Sequence, residues 1–224
     1  MILFSIPFAS IPGFATYRAG QELIEQMIRI CDERGFGLLA ATGNNWLGWA
    51  LVEQGKVNEG VTLIEDSLAR YATIDNKLDA KFERFRLAHA YRRTERPEKG
   101  FVELETLQRL IAKTGKHALE AEIHQLKGEL LMMMGASKES KPQQYFCSAI
   151  EIARKQNRKA LELVATTSLA RLLVKQRRRG EARIALAEIY SWFTEGFETV
   201  DLKEGKALLD QLTAERISQH HSSN

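Results

Sequence analysis

Small residues return in this chain every forty positions, and that recurrence restricts the fold more than any other feature. In Ala41 to Ala80, AATGNNWLGWALVEQGKVNEGVTLIEDSLARYATIDNKLDA, residues Leu47, Gly48 and Leu51 share one helical face and Gly55 closes the pattern. Gly60, Ile64 and Leu68 share a face of a second helix before Asp75-Asn76 breaks the chain. One period on stand Leu87, Ala88 and Tyr91, then Gly100 and Leu104, then Gly115. The third copy has Gly128, Leu131 and Gly135, then Phe146, Ala149 and Asn157; the fourth has Leu169, Ala170 and Leu173, then Ala182, Leu186 and Ile189. Upstream only the second half is present, as Gly20, Ile24 and Gly35. Glycine inside a helix costs up to about 1 kcal/mol relative to alanine, so its return at matched positions calls for a packing reason. Close approach of the two helices of each pair supplies one. Neither helix of a pair can bury its face alone, so pairs must stack. The expected fold is all-α, a right-handed α-solenoid of antiparallel helix pairs with repeats of forty residues and a C-terminal capping helix.

Periodicity places the elements. Helices are expected over Tyr17–Arg34, Phe36–Glu53, Val57–Ala72, Leu78–Arg93, Phe101–Lys113 with Pro97 in a first turn, His117–Met134, Gln143–Lys155, Leu161–Lys175 and Glu181–Phe193. The third pair carries a two-residue insertion near Lys138 to Pro142, where the spacing stretches from 40 to 42. Residues 1–16 are expected to form an irregular apolar segment, because Pro7 and Pro12 interrupt any helix there. The array is expected over 17–216 and a disordered tail over 217–224. Trp192, Phe193 and Phe197 stand where the last pair needs a seal, and Thr199 or Asp201, with Glu204, is placed to cap a final helix.

Composition narrows the function classes. A net charge of +3 is too weak by itself to imply nucleic acid. The two cysteines, Cys31 and Cys147, lie far apart within helical patterns, which fits a reducing cytoplasm and not a disulfide framework. No apolar run is long enough to span a membrane, and the first fifteen residues lack the basic start of a signal peptide, the first basic residue being Arg18. No nucleotide-binding G-x-x-x-x-G-K-[ST] motif occurs. His117 and His124 stand two helical turns apart, about 10 Å, which is too far for one metal. Nothing in the sequence calls for a catalytic set or a cofactor, and the chain is expected not to be an enzyme.

From Gly20 onward the chain resembles a tetratricopeptide array. It departs from the standard motif in its period, forty against thirty-four, and in lacking the early tryptophan of the first helix, where Asn44, Arg84, His124 and Thr166 stand. HEAT repeats share the length but not the paired small residues. The segments AEIHQLKGELLMMMG (121–135), FCSAIEIARKQNRKALELVATTSLARLLVKQRRRGEAR (146–183) and IYSWFTEGFETVDLKEGKALLDQL (189–212) resemble the C-terminal helical parts of large bacterial signalling ATPases. Those proteins accompany adenylate or guanylate cyclase or DNA-binding transcriptional domains, and maltose-regulator-like activators are distant relatives. The resemblance implies a non-catalytic sensory or protein-contact module. Its implied partner is a protein or peptide, for example an ATPase, a cyclase or a transcription domain.

In tetratricopeptide arrays the first helix of each pair, helix A, lines the concave face, and the resemblance implies the same here. Alignment on Gly48, Ala88, Gly128 and Ala170 gives columns of candidate groove residues: Asn45, Phe85 and Gln125; Trp49, His89, Glu129 and Arg171; Arg92 and Met132; Arg93 and Lys175. Aromatic and sulfur side chains interleaved with arginines suit a peptide of acidic character. A second candidate is the basic stretch from Arg154 to Arg183, where ten bases face two acids. It holds Arg154, Lys155, Arg158, Lys159, Arg177, Arg178, Arg179 and Arg183, and is expected as an alternative surface for nucleic acid or an acidic partner. Aromatics are not interleaved with these bases, which argues against single-stranded nucleic acid.

Overall fold

The computed structural model describes residues 14–73, 80–114 and 118–221. The apolar segment before Phe14, the Asp75-Asn76 break, Gly115, His117 and the last three residues lie outside that description. Among the described residues the chain forms ten α-helices, a short 3-10 turn at Ala136–Lys138, and no strand.

Residues 11–117 make one compact unit and residues 118–224 belong to a second. The first holds α1 (Phe14–Glu33), α2 (Gly37–Glu53), α3 (Val57–Thr73), α4 (Lys81–Arg93) and α5 (Pro97–Thr114). The second holds α6 (Glu120–Met133), α7 (Ser140–Lys155), α8 (Lys159–Lys175), α9 (Arg179–Tyr190) and α10 (Val200–His221). Helices α2, α4, α6 and α8 are the first members of the four pairs, as their small residues predict. Each first helix packs on its own partner and also on the first helix of the next pair within its unit, α2 on α4 and α6 on α8. This explains why α2 and α8 bury residues on nearly every side instead of along one stripe.

The period is written in the contacts. Trp49 and His89 meet edge to face at 5.5 Å. The Arg86 guanidinium stacks over Trp46 at 4.1 Å, and Arg93 donates to the Glu53 carboxylate at 3.2 Å. Each of these partners lies forty positions from the other. Within a pair the small residues do what their recurrence requires. Gly48 of α2 faces Gly60 of α3 so closely that a methyl group at either would strike the other's carbonyl oxygen. In the second unit Gly128 cradles the ring of the fully buried Phe146.

One turn geometry closes most of the pairs. Gly55 sits at φ +86, its N–H reaching the Val52 carbonyl while Lys56 N–H reaches Leu51. Gly35, Asn157 and Arg177 repeat that double bond, ending α1, α7 and α8. This is a left-handed helix cap that satisfies carbonyls otherwise left open, and glycine occupies it without steric cost. Glu95, Asn157 and Arg177 hold it with positive φ despite their side chains. Arg177→Gly is therefore expected to raise stability by about 0.5–1 kcal/mol and Gly55→Ala to lower it by about 1 kcal/mol. Urea denaturation midpoints check both.

Three expectations are corrected at the chain's two ends. Helix α1 begins at Phe14, ahead of Tyr17. Helix α10 runs on to His221, through residues expected as tail. Of the three aromatics expected to seal the last pair, only Phe193 packs against the core. Trp192 is 59% exposed and Phe197 43% exposed. The seal is made instead by α10, which lays Leu202 and Leu212 into that core and sets Gly205 against Leu163. The loop between α9 and α10 is long enough to carry Trp192 and Phe197 outward.

Candidate functional site

In the first unit the candidate residues fall into two layers. Asn45 is 0% exposed and Trp49 9% exposed. Both lie in the seam between α2 and α4, where Arg86 Nε donates to Asn45 Oδ1 at 2.6 Å and Trp49 abuts His89. Their place on an open wall, expected from the alignment, is corrected: the first helices of successive pairs pack side by side, so a side chain one turn on meets the next helix before it meets water. Phe85, His89 and Arg92 are half-buried and Arg93 is exposed. They stand on successive turns of α4, with the Phe85 and His89 rings 5.7 Å apart. Together they form a face of two rings followed by two guanidinium groups.

His89 is neutral. Burial pushes its pKa down to about 3, and the Arg92 and Arg93 charges push the same way. Its Nδ1 has no hydrogen-bond partner among the described residues. The unfolded chain binds a proton near pH 6.5, so between that pH and about 3 the unfolded state holds more protons than the folded one. Stability from this group is full above pH 6.5 and is lost as the pH falls below it. Burial lowers the pKa of His124 too, helped by the Lys127 charge, and adds loss of the same sign. Acidification from pH 7 to pH 5 is expected to destabilise the protein by about 2 kcal/mol through His89, and His89→Gln to remove that share. Urea midpoints of both proteins across this range check it.

The corresponding face of the second unit is more polar. Gln125 donates to Ser168 Oγ at 3.0 Å, and Ser168 donates on to Glu129 Oε1 at 2.9 Å, joining α6 to α8. Arg171 does not point into open space but pairs with Glu204 of α10 at 2.6 Å. Met132 is half-buried against the core cluster, and Lys175 is exposed.

Part of the basic stretch is matched by acids. Arg154 and Lys159 both bind the Glu162 carboxylate, at 2.6 and 2.7 Å. Burial opposes ionisation of Glu162, but these two bonds outweigh it and hold its pKa below the usual carboxylate range. Arg158 pairs with Glu122 at 2.8 Å and also donates to the Ala118 carbonyl. Arg178 grips Glu181 through two nitrogens, at 2.8 and 2.6 Å, and reaches Gln143. Lys155, Arg177 and Arg179 are exposed and Arg183 is half-buried. Five of the ten bases, Arg154, Arg158, Lys159, Arg171 and Arg178, thus sit in ion pairs.

Sequence reasoning missed Arg86 and Trp46. Arg86 is half-buried, stacked on Trp46 and bonded to Asn45, and burial lowers its pKa. The signal was present: Trp46 and Arg86 stand forty apart in one column, two positions before the small residue. Among the described residues no group of three metal-ligating side chains converges, and no helix is long and apolar enough to cross a membrane.

Comparison with solved structures gives one architecture. The structure of a Podosopora anserina protein assigned to the kinesin light chains, with nearly identical TPR-like repeats, matches with a TM-score of 0.63 and 21% identity, over 79% of this chain and 86% of that one. BtubC (BKLC) from P. vanneervenii matches with a TM-score of 0.65 and 14% identity, over 94% of this chain and 93% of that one. The fold is TPR-like. No protein-family model matches the sequence, and no curated protein matches it. At such identities the likeness concerns the TPR-like architecture alone, and any function must come from the side chains described above.

Proposed function

We propose that this chain is a non-catalytic interaction scaffold and that α4 of its first unit binds a peptide or protein segment of mixed apolar and acidic character. The observation that carries this reading is the succession Phe85, His89, Arg92 and Arg93 on accessible turns of one helix. The rings offer rigid apolar contact at low entropic cost, and Arg93, which already meets Glu53 at 3.2 Å, keeps an exposed guanidinium beside Arg92 for a second carboxylate. A neutral His89 leaves the charge of that face to the arginines. The buried Trp49 supports the His89 ring. The partner is a component of a bacterial signalling or transcription-regulating system in the cytoplasm, such as an ATPase, a cyclase or a transcription domain. Support for that part is the resemblance carried by residues 121–135, 146–183 and 189–212.

Selection of random dodecapeptides against the full chain, followed by fluorescence anisotropy, tests the reading. The selected peptides are expected to be rich in Asp, Glu and apolar residues. Phe85→Ala and Arg92→Ala are each expected to weaken them at least about tenfold, while Val102→Ala on exposed α5 leaves binding unchanged. Basic peptides, or binding indifferent to both α4 substitutions, would overturn it. A mobility shift with random DNA and RNA supplies the other control. Tight binding that falls steeply with salt would favour the basic stretch instead.

A further inference from the structure

Helix α1 carries an apolar row that its own unit leaves exposed. Leu23 is 67% exposed and Ile30 50% exposed, with Met27 between them also exposed. The opposite side of α1, through Ile24, Ile28 and Cys31, faces the unit, and Met27 and Ile28 close on Gly43 of α2. Leu39 lies on the ridge of α2 that carries Gly43, since positions four apart share a helix face, and Phe36 caps the start of α2; both are exposed. The row therefore continues onto the α1–α2 edge. Exposed apolar side chains scattered singly need no explanation, but a contiguous row along one helix marks an interaction site.

The flank of this row identifies what it fits. In sequence it runs Arg18, Glu22, Arg29, Glu33, with spacings of four, seven and four. The order of signs is plus, minus, plus, minus, and the spacing is symmetric about its midpoint. Turned end for end, the described part of the pattern sets acid against base, position 22 against 29. A two-fold interface has that property, because each residue meets its counterpart across the axis. Glu22, Arg29 and Glu33 are exposed. The same turn brings Leu23 of one copy near Met27 of the other, so the apolar row closes on itself.

We propose that α1 is a self-association surface, on which a second copy of this chain packs antiparallel about a two-fold axis between Glu25 and Gln26. This is independent of the α4 face and would hold if α4 bound nothing.

Sedimentation velocity of the full chain from about 1 to 200 μM tests it, with circular dichroism confirming that each variant is folded. The wild type is expected to pass from monomer to dimer across this range. Leu23→Asp and Ile30→Asp are each expected to leave it monomeric. Glu22→Arg and Arg29→Glu each break two symmetric ion pairs and are expected to raise the dissociation constant about tenfold. The double exchange Glu22→Arg with Arg29→Glu restores opposite signs across the axis and is expected to recover the dimer. A wild type that stays monomeric throughout overturns the proposal, whatever else covers the row. So does a dimer that none of the α1 substitutions weakens, or a double exchange no better than either single one.

Discussion

Gly60→Ala is expected to lower the unfolding free energy by about 3 kcal/mol, at the upper end of what one added methyl does to a packed core. A Cβ at this position would meet the Gly48 carbonyl oxygen, the Val52 side chain at 2.6 Å and the Val52 backbone nitrogen at 2.9 Å. Two of those three are main-chain atoms of α2, which cannot swing aside as a side chain can. Relief requires separating α2 from α3, and that gives up the contact of Val52, Val61 and Ile64. Gly180→Ala makes the matched control. Nothing lies within 4 Å of a Cβ there, so alanine is expected to be neutral or to stabilise by a few tenths of a kcal/mol by restricting the unfolded chain, about what such exchanges give. Urea denaturation followed by circular dichroism reads both. A Gly60→Ala protein as stable as the wild type would mean the helices pair by some other contact.

The second large effect belongs to the other unit. Phe146 is fully buried, and its ring fills the space opened by Gly128. Phe146→Ala is expected to cost about 4 kcal/mol, from lost burial and from the cavity left among α6, α7 and α8. Gly128→Ala attacks the same contact from the other side. Its Cβ would fall 2.5 Å from the ring, a side chain and not backbone, so the neighbour can give. Combining Gly128→Ala with Phe146→Leu is therefore expected to cost less than the two changes summed. Strict additivity in that cycle would show that the two residues do not share one packing contact.

These two sites also show which parts of the molecule were legible in the sequence. A glycine that recurs inside helices at a fixed interval announces a close approach, and the approach is found at Gly48 with Gly60 and at Gly128 with Phe146. Gly35, Gly55 and Gly135 announced turns and stand at turns with positive φ. Glu95, Asn157 and Arg177 take the same conformation without glycine, so composition could not reveal it. The candidate site was only half legible. The alignment on small residues identified the columns that link one repeat to the next, and Trp49 with His89 and Glu53 with Arg93 do touch. It could not tell a column that faces water from one that faces the next helix, because that depends on the angle between successive pairs and not on the period. Asn45 and Trp49 were lost to the seam for that reason. The basic stretch reads differently in space. Counting charge along the chain ignores Glu122, which is far away in sequence but 2.8 Å from Arg158 in space. Glu162 is the second case, one acid meeting two bases at once.

The central claim is that the rings and arginines of α4 form the partner surface. Backbone amide shift mapping of the chain with its tightest selected dodecapeptide tests it most directly. The account predicts shifts concentrated at Phe85, His89, Arg92 and Arg93. Shifts confined to α5 and α9, or to Lys155, Arg177 and Arg179, would contradict it.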